Sequence, residues 1–258
     1  MTGAHPDPAA KAAEQPLGEP VDFAGAAPPE PTVLAGSRVV LRPIDVARDA
    51  EPLYAASHPP TGDPSIWTYM YEGPYPDLAS FRDALSAQAR ARARPEDRVF
   101  FTVADAADDR ARGVVSYLSI VPEHGTIEVG NIWFAPSLQR TTGATEAIHL
   151  LAEHAFDKLG YRRLEWKCNA CNAPSRRAAA RLGFQYEGTF LNHRVVKGRN
   201  RDTAWFAITD SRWPQVHAAL RAWLDPSNFD SRGRQRARLA DFMTAAGPPV
   251  PAAVPLHN

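Results

Sequence analysis

The chain has 258 residues, with 29 Lys and Arg against 29 Asp and Glu, so its formal net charge is zero. A nucleic-acid partner is not expected, because sequence-independent binding needs several phosphate contacts and hence a basic balance. No apolar run approaches the ~20 residues of a membrane helix, the first residues lack a signal-peptide pattern, and two cysteines make no disulfide framework. The expectation is a cytoplasmic globular protein without a membrane partner.

Residues 1–36 hold seven of the 24 prolines and few large apolar residues. Such a stretch buries too little surface to offset its ordering entropy, so a disordered Pro/Ala-rich arm is predicted. Residues 226–258 read as a short Arg-rich helix over Ser231–Ala245 and a disordered tail. One domain, 37–225, lies between. Its predicted elements begin with a strand at Arg38–Arg42 and a helix at Val46–Ser57, stopped by His58-Pro59-Pro60. Asp77 is a plausible N-cap for a helix over Leu78–Arg94, with Leu78, Phe81 and Leu85 on one face. Arg98–Ala104, Gly113–Val121 and Thr126–Phe134 read as strands. Thr142–Leu159 is a long helix ended by Gly160. A strand at Arg163–Lys167 and a helix at Ala173–Leu182 follow, with Pro174 suited to its first turn. Phe184–Val196 and Asp202–Ile208 are strands around a turn at Lys197-Gly198-Arg199-Asn200. A last helix covers about Pro214–Leu224. The order β-α-α-β-β-β-α-β-α-β-β implies a mixed α/β fold, a mostly antiparallel sheet with one parallel crossover and flanking helices.

The most informative stretch runs from Ile132 to Ala147, where a strand feeds a loop of small polar residues that opens the long helix. The first amides of a helix lack partners and its dipole makes that end positive, so Gln139, Arg140, Thr141, Thr142, Gly143, Ala144 and Thr145 are candidates for cradling a pyrophosphate. An ordinary capped helix start gives the same pattern. No Walker Gly-Lys-Ser/Thr is present. Cys168 and Cys171 form a C-x-x-C without a second ligand pair, so packing rather than a metal site is expected.

Asn172-Ala-Pro-Ser175 and Arg181-Leu182-Gly183-Phe184 then make a linked set with this loop. With Thr145-Glu146-Ala147, Phe156-Asp157-Lys158-Leu159-Gly160, Glu187-Gly188 and Arg201-Asp202-Thr203, the chain over roughly 38–224 resembles the Gcn5-related N-acetyltransferase (GNAT) superfamily. Within it, the closest likeness is the branch of ribosomal-protein N-terminal acetyltransferases (RimJ/RimL-like). Two departures stand out. The phosphate-loop pattern falls on Gln139-x-x-Thr142-x-Ala144, with Thr where Gly is usual. The alternative register, Arg140-x-x-Gly143-x-Thr145, keeps that Gly and loses the final small position. The position of the general-acid Tyr of many members is Ala179, which moves that role to Ser175.

The resemblance implies acetyl-CoA as cosubstrate, no metal, and a primary amine as acceptor, either a small molecule or a protein N-terminus. It implies direct attack on the thioester in a ternary complex; a non-catalytic acyl-CoA-binding protein retaining the fold is the alternative. It also places the pantetheine arm beside the backbone of Ile132, Trp133 and Phe134, with Asn172 on the arm's amides. Glu128, within a strand, is either the general base or a structural group, since desolvation suits a carboxylate to base work. Trp67, Tyr69 and Tyr71 fall where the family walls its acceptor site, or form an aromatic lid over the core. Arg201 and Asp202 are expected to contribute ion-pair ordering on the last hairpin, with nothing to mark them as catalytic. Homodimers are common in the family.

Overall fold

The computed structural model describes residues 17–91 and 98–245. Eight strands form one sheet: β1 (Leu34–Ala35), β2 (Val39–Pro43), β3 (Val99–Asp105), β4 (Ala111–Val121), β5 (Thr126–Phe134), β6 (Arg163–Asn169), β7 (Gln185–Val196) and β8 (Arg199–Thr209). Their spatial order is β1-β2-β3-β4-β5-β6-β8-β7. Every neighbouring pair is antiparallel except β5 and β6. The helices are α1 (Val46–Ser57), α2 (Leu78–Arg90), α3 (Thr142–Glu153), α4 (Ala173–Arg181), α5 (Trp213–Leu224) and α6 (Leu239–Ala245). The mixed α/β fold expected from the element order is the one observed.

Strand alternation divides the sheet into two apolar faces. On one, Leu41, Phe101, Val115, Tyr117, Ile127 and Val129 pack under Ile148 and Leu151 of α3 and Val216 and Leu220 of α5. On the other, Phe100, Val114 and Trp133 pack with Leu53 of α1 and Phe81 and Leu85 of α2. Each of these buried side chains contributes on the order of 1.5–3 kcal/mol. Local chemistry sets the helix starts: Asp45 caps α1, and Asp77 with Ser80 makes a capping box on α2.

Two buried carboxylates fix the N-terminal strands. Asp49, fully buried, accepts from both Nη atoms of Arg42 at 2.8 Å and from Thr102 Oγ1 at 2.6 Å. Glu146, on the second turn of α3, accepts from the backbone N–H groups of Ser37, Arg38 and Val39. Gly36 is required there, since a Cβ would lie 2.5 Å from Glu146 Oε2.

Three boundaries differ from expectation. Within the predicted disordered arm, residues 23–36 run against the domain. The N–H groups of Ala26 and Ala27 donate to the carbonyls of Pro122 and Leu159, Phe23 lies beside Arg162, and Leu34–Ala35 adds an edge strand. Backbone pairing, invisible to a reading based on apolar content, orders this stretch. Residues 1–16 of the arm, 92–94 of the second predicted helix and 246–258 of the tail lie outside the described residues. The Arg-rich helix forms only over Leu239–Ala245, because Asp230 turns the chain first by accepting from the N–H groups of Arg232 and Arg234. The long central helix changes to a π-turn at His154–Lys158 before Gly160, at φ 76°, ends it.

Candidate active site

The site begins where the sheet parts. β5 and β6 pair only through Thr126–Arg163, Ile127–Leu164 and Glu128–Glu165. Beyond Glu128, β5 stays with β4 while β6 stays with β8 through Asn169. The cause lies in β5. Between Gly130 and Trp133 it holds one residue more than its partner, and Asn131 stands at φ 49°. Such a bulge bends and twists the strand that carries it. Ser116 pins it, donating to the Gly130 carbonyl at 3.1 Å and accepting from Asn131 Nδ2 at 2.9 Å.

The Ala135 N–H donates to the Arg112 carbonyl, on the β4 side. Alternation then turns the backbone groups of Ile132 and Phe134 toward the gap, where Gln139 Nε2 donates to the Phe134 carbonyl. The Trp133 side chain is buried in the aromatic cluster, 5.3 Å from the Trp67 ring.

The loop from Pro136 to Thr141 brings α3 to the same end of β5. Gln139 and Arg140 are exposed, and Arg140 takes a left-handed φ of 61°. Thr141 caps the helix, accepting from the Ala144 N–H at 3.2 Å. The amides of Thr142 and Gly143 open the helix, where no intrahelical acceptor reaches them. Thr145 is buried, and its Oγ1 accepts from Arg181 Nη1 at 2.9 Å. Arg181 thereby adds a guanidinium to the helix start that the sequence reading missed. Gly143 serves packing: a Cβ there would stand 3.0 Å from Val39 Cγ1, on the sheet side. A cavity of about 510 Å³ lies on that side too, lined by Ser37, Arg38, Asp105, Thr141, Thr142 and Gly143 among others. It faces β2 and the β3–β4 turn, away from the gap beside β6.

Glu128 is 6 % exposed and marks the closed end of the gap. Its Oε2 accepts from Ser119 Oγ and from Lys167 Nζ, both at 2.9 Å. Lys167 also reaches Glu165 Oε2 at 2.7 Å and lies 4.2 Å from the Trp205 ring centre. Burial is the largest influence on Glu128 and pushes its carboxyl above the ordinary carboxylate value, against the opposing pull of Lys167 and Ser119. Lys167 went unread in the sequence, although strand alternation from Glu165 puts it on the Glu128 face.

Ser175 and Asn172 stand at the start of α4. Asn172 Oδ1 caps the helix, accepting from the Ser175 N–H at 3.1 Å. Ser175 Oγ accepts from Trp166 Nε1 at 3.0 Å, and its own proton faces the sulfur of buried Cys168, a thiol whose pKa burial raises and this hydroxyl lowers. Cys168, buried in the core, is a free thiol, as is exposed Cys171. Ala179, at the tyrosine position, is fully buried.

The connection between α1 and α2 covers the other side. Trp67 is only 3 % exposed, and its indole N–H donates to the Ser57 carbonyl, so it belongs to the core. Gly73, at φ 66°, lets the chain pass that ring, since a Cβ would lie 2.6 Å from Cε3. Tyr69 and Tyr71 are exposed; Tyr69 donates to the Cys171 carbonyl, and the Tyr71 ring lies 4.5 Å from the Arg201 guanidinium. Lys197, at the hairpin tip, donates to the carbonyls of Trp67 and Glu72 and ties the hairpin to this cover.

A parted parallel strand pair, a helix N-terminus beside it and a buried carboxylate at its closed end define an acyl-CoA N-acyltransferase architecture. The model of the GNAT acetyltransferase domain matches residues 38–185. The chain belongs to this family and is an N-acetyltransferase by that membership. It is 40 % identical to a GCN5-related N-acetyltransferase from Brucella melitensis, over 86 % of this chain and 99 % of that one, with a TM-score of 0.82. It is 27 % identical over 157 residues to the protein named "Uncharacterized N-acetyltransferase p20" of Bacillus licheniformis, covering 57 % of this chain and 81 % of that one. A spermidine N-acetyltransferase from Vibrio cholerae, solved with CoA and spermine, shares the fold at 21 % identity and a TM-score of 0.54, over 69 % of this chain and 99 % of that one.

Proposed function

We propose that the chain moves an acetyl group from acetyl-CoA to a primary amine, on a small molecule or a protein N-terminus, by direct attack in a ternary complex. The observation that carries this reading is the parting of β5 from β6 beyond Glu128, which leaves strand-edge backbone groups at Ile132 and Phe134 without a strand partner on that side. The residues present fit the donor. The open edge suits its amide-bearing arm, the amides of Thr142 and Gly143 suit its pyrophosphate, and Arg140 and Arg181 add positive charge. Asn172 keeps Nδ2 for an amide carbonyl, its Oδ1 being spent on the cap. Bound there, acetyl-CoA supplies an electrophilic acyl carbon with a thiol leaving group.

The chain's own groups divide the proton work. Ser119 and Lys167 hold Glu128 through Oε2, leaving Oε1 to take the proton of the attacking amine, directly or through a water. A carboxyl raised by burial is better matched to this task than an ordinary one. Ser175 can turn its hydroxyl proton from Cys168 to the departing sulfur. Backbone N–H groups on the open edge of β5 can meet the oxyanion. Tyr69 and Tyr71 wall the acceptor side. Exposed Phe190, Leu191 and Val195 on edge strand β7 support self-association of two copies there.

Calorimetric titration with acetyl-CoA, followed by thiol release across a panel of amines, tests the reading. Saturable binding with turnover on at least one amine is expected. Binding without turnover on any would favour an acyl-CoA-binding protein instead.

A further inference from the structure

Arg201 is 6 % exposed, yet neither its Nε nor its Nη1 has a hydrogen-bond partner. No carboxylate pairs with it among the described residues. Carboxylates of the same region are engaged elsewhere: Glu128 and Glu165 with Lys167, Asp202 with the Asn192 N–H and Asn200 Nδ2, and Glu72 with the Tyr75 hydroxyl. Leaving Nε and Nη1 buried without an acceptor is unfavourable, because water no longer reaches them and no polar group replaces it.

The neighbours deepen the imbalance. β8 is regular, with its partners in register along β6, so Arg201, Thr203 and Trp205 project on one face at two-residue steps. Thr203 Oγ1 and Trp205 Nε1 are also buried and unpartnered, as is Nδ1 of His193. The His193 ring lies 6.1 Å from that of Trp205. The arginine nitrogens and the indole nitrogen can only donate; the threonine and histidine can donate or accept. One stretch of sheet therefore lacks acceptors, and an anionic oxygen group is the complement. The cross-strand pairs Lys167–Trp205 and Glu128–Glu165 put the proposed base on this same face, and Tyr71 lies over the guanidinium.

We infer that the acceptor amine carries a carboxylate, held by Arg201 with Thr203 and Trp205 while its amino group points toward Glu128. This deepens, and rests on, the transferase reading above. Guanidinium and carboxylate match in charge and in planar geometry, and the Tyr71 ring covers the pair. The acceptor class is thus an amino-acid-like amine, in contrast to a polyamine.

Matched acceptors test this in the full-length protein: L-α-amino acids against their own carboxamides, followed by thiol release. The amide's amine is the more readily deprotonated, so a preference for the acid cannot come from ionisation. A preference of about 100-fold in kcat/KM for the acid is expected, from the loss of hydrogen bonds to a charged group. Arg201→Met reduces that ratio at least 10-fold. Trp205→Phe, which keeps a ring and removes only the indole N–H, reduces it several-fold. Acetyl-CoA affinity reports whether each variant is folded. Equal use of acid and amide by the wild type, or a ratio unmoved by both variants, overturns the inference. If no acceptor turns over, the transferase reading fails, and calorimetry on the acetyl-CoA-loaded protein decides the subsite separately. Binding of the amino acid but not its amide, lost in Arg201→Met, upholds it; equal or absent binding of both overturns it.

Discussion

Glu128→Gln lowers kcat/KM by about 100-fold or more at pH values above the carboxyl's own pKa, the range typical for loss of a general base. The deficit shrinks as pH falls, because protonation disables the wild-type carboxylate as well. Burial raises this carboxyl while Lys167 and Ser119 lower it. The acidic limb of the wild-type profile therefore stands above the ordinary carboxylate range. Lys167→Met removes a counter-ion and moves that limb to still higher pH. Steady-state profiles of the three proteins check this. A deficit of the same size at every pH would make Glu128 a positioning group only.

Asp49→Ala is expected to cost about 3–5 kcal/mol, because it strands Arg42 in a buried setting rather than removing a pair evenly. For a domain of this size that is a fall in melting temperature of roughly 10 °C, read by calorimetry. Burial by itself would raise the Asp49 carboxyl, but hydrogen bonds from Arg42 and Thr102 outweigh it and hold the carboxyl below its ordinary value. The contribution is therefore present above the ordinary carboxylate range and lost as pH falls through the depressed folded value. A loss under about 1 kcal/mol would show the pair to be no stronger than an exposed one.

Much of the architecture was legible because local signals agreed. Apolar spacing at Phe81 and Leu85 marked α2, Asp77 its start, and Gly160 the end of the central helix. The parallel crossover followed from a helix between two strands. What escaped depended on pairing between distant segments. Leu34–Ala35 joins the sheet by backbone bonds that carry no apolar signature. Gly143 is held tight against Val39 on its Cα side, and only packing shows which side of a helix start is filled. Lys167 closed one predicted strand and Arg201 stood just ahead of another; that they share a face follows from the register of β6 on β8, which pairs Lys167 with Trp205. Which loop covers that face, and whether a carboxylate meets Arg201, needed the fold. The ion-pair ordering expected of Arg201 and Asp202 on the last hairpin is not seen among the described residues: Asp202 engages Asn192 and Asn200, and Arg201 meets no carboxylate.

The central claim is that the coenzyme enters between β5 and β6 with its pyrophosphate on the first amides of α3. A crystal structure of the protein with bound CoA tests it most directly. The expected result is the pantetheine arm beside the backbone of Ile132 and Phe134, with phosphate oxygens on the N–H groups of Thr142 and Gly143. CoA seated instead in the cavity beside Ser37, Arg38 and Asp105, with the gap beyond Glu128 left closed to it, would contradict the account.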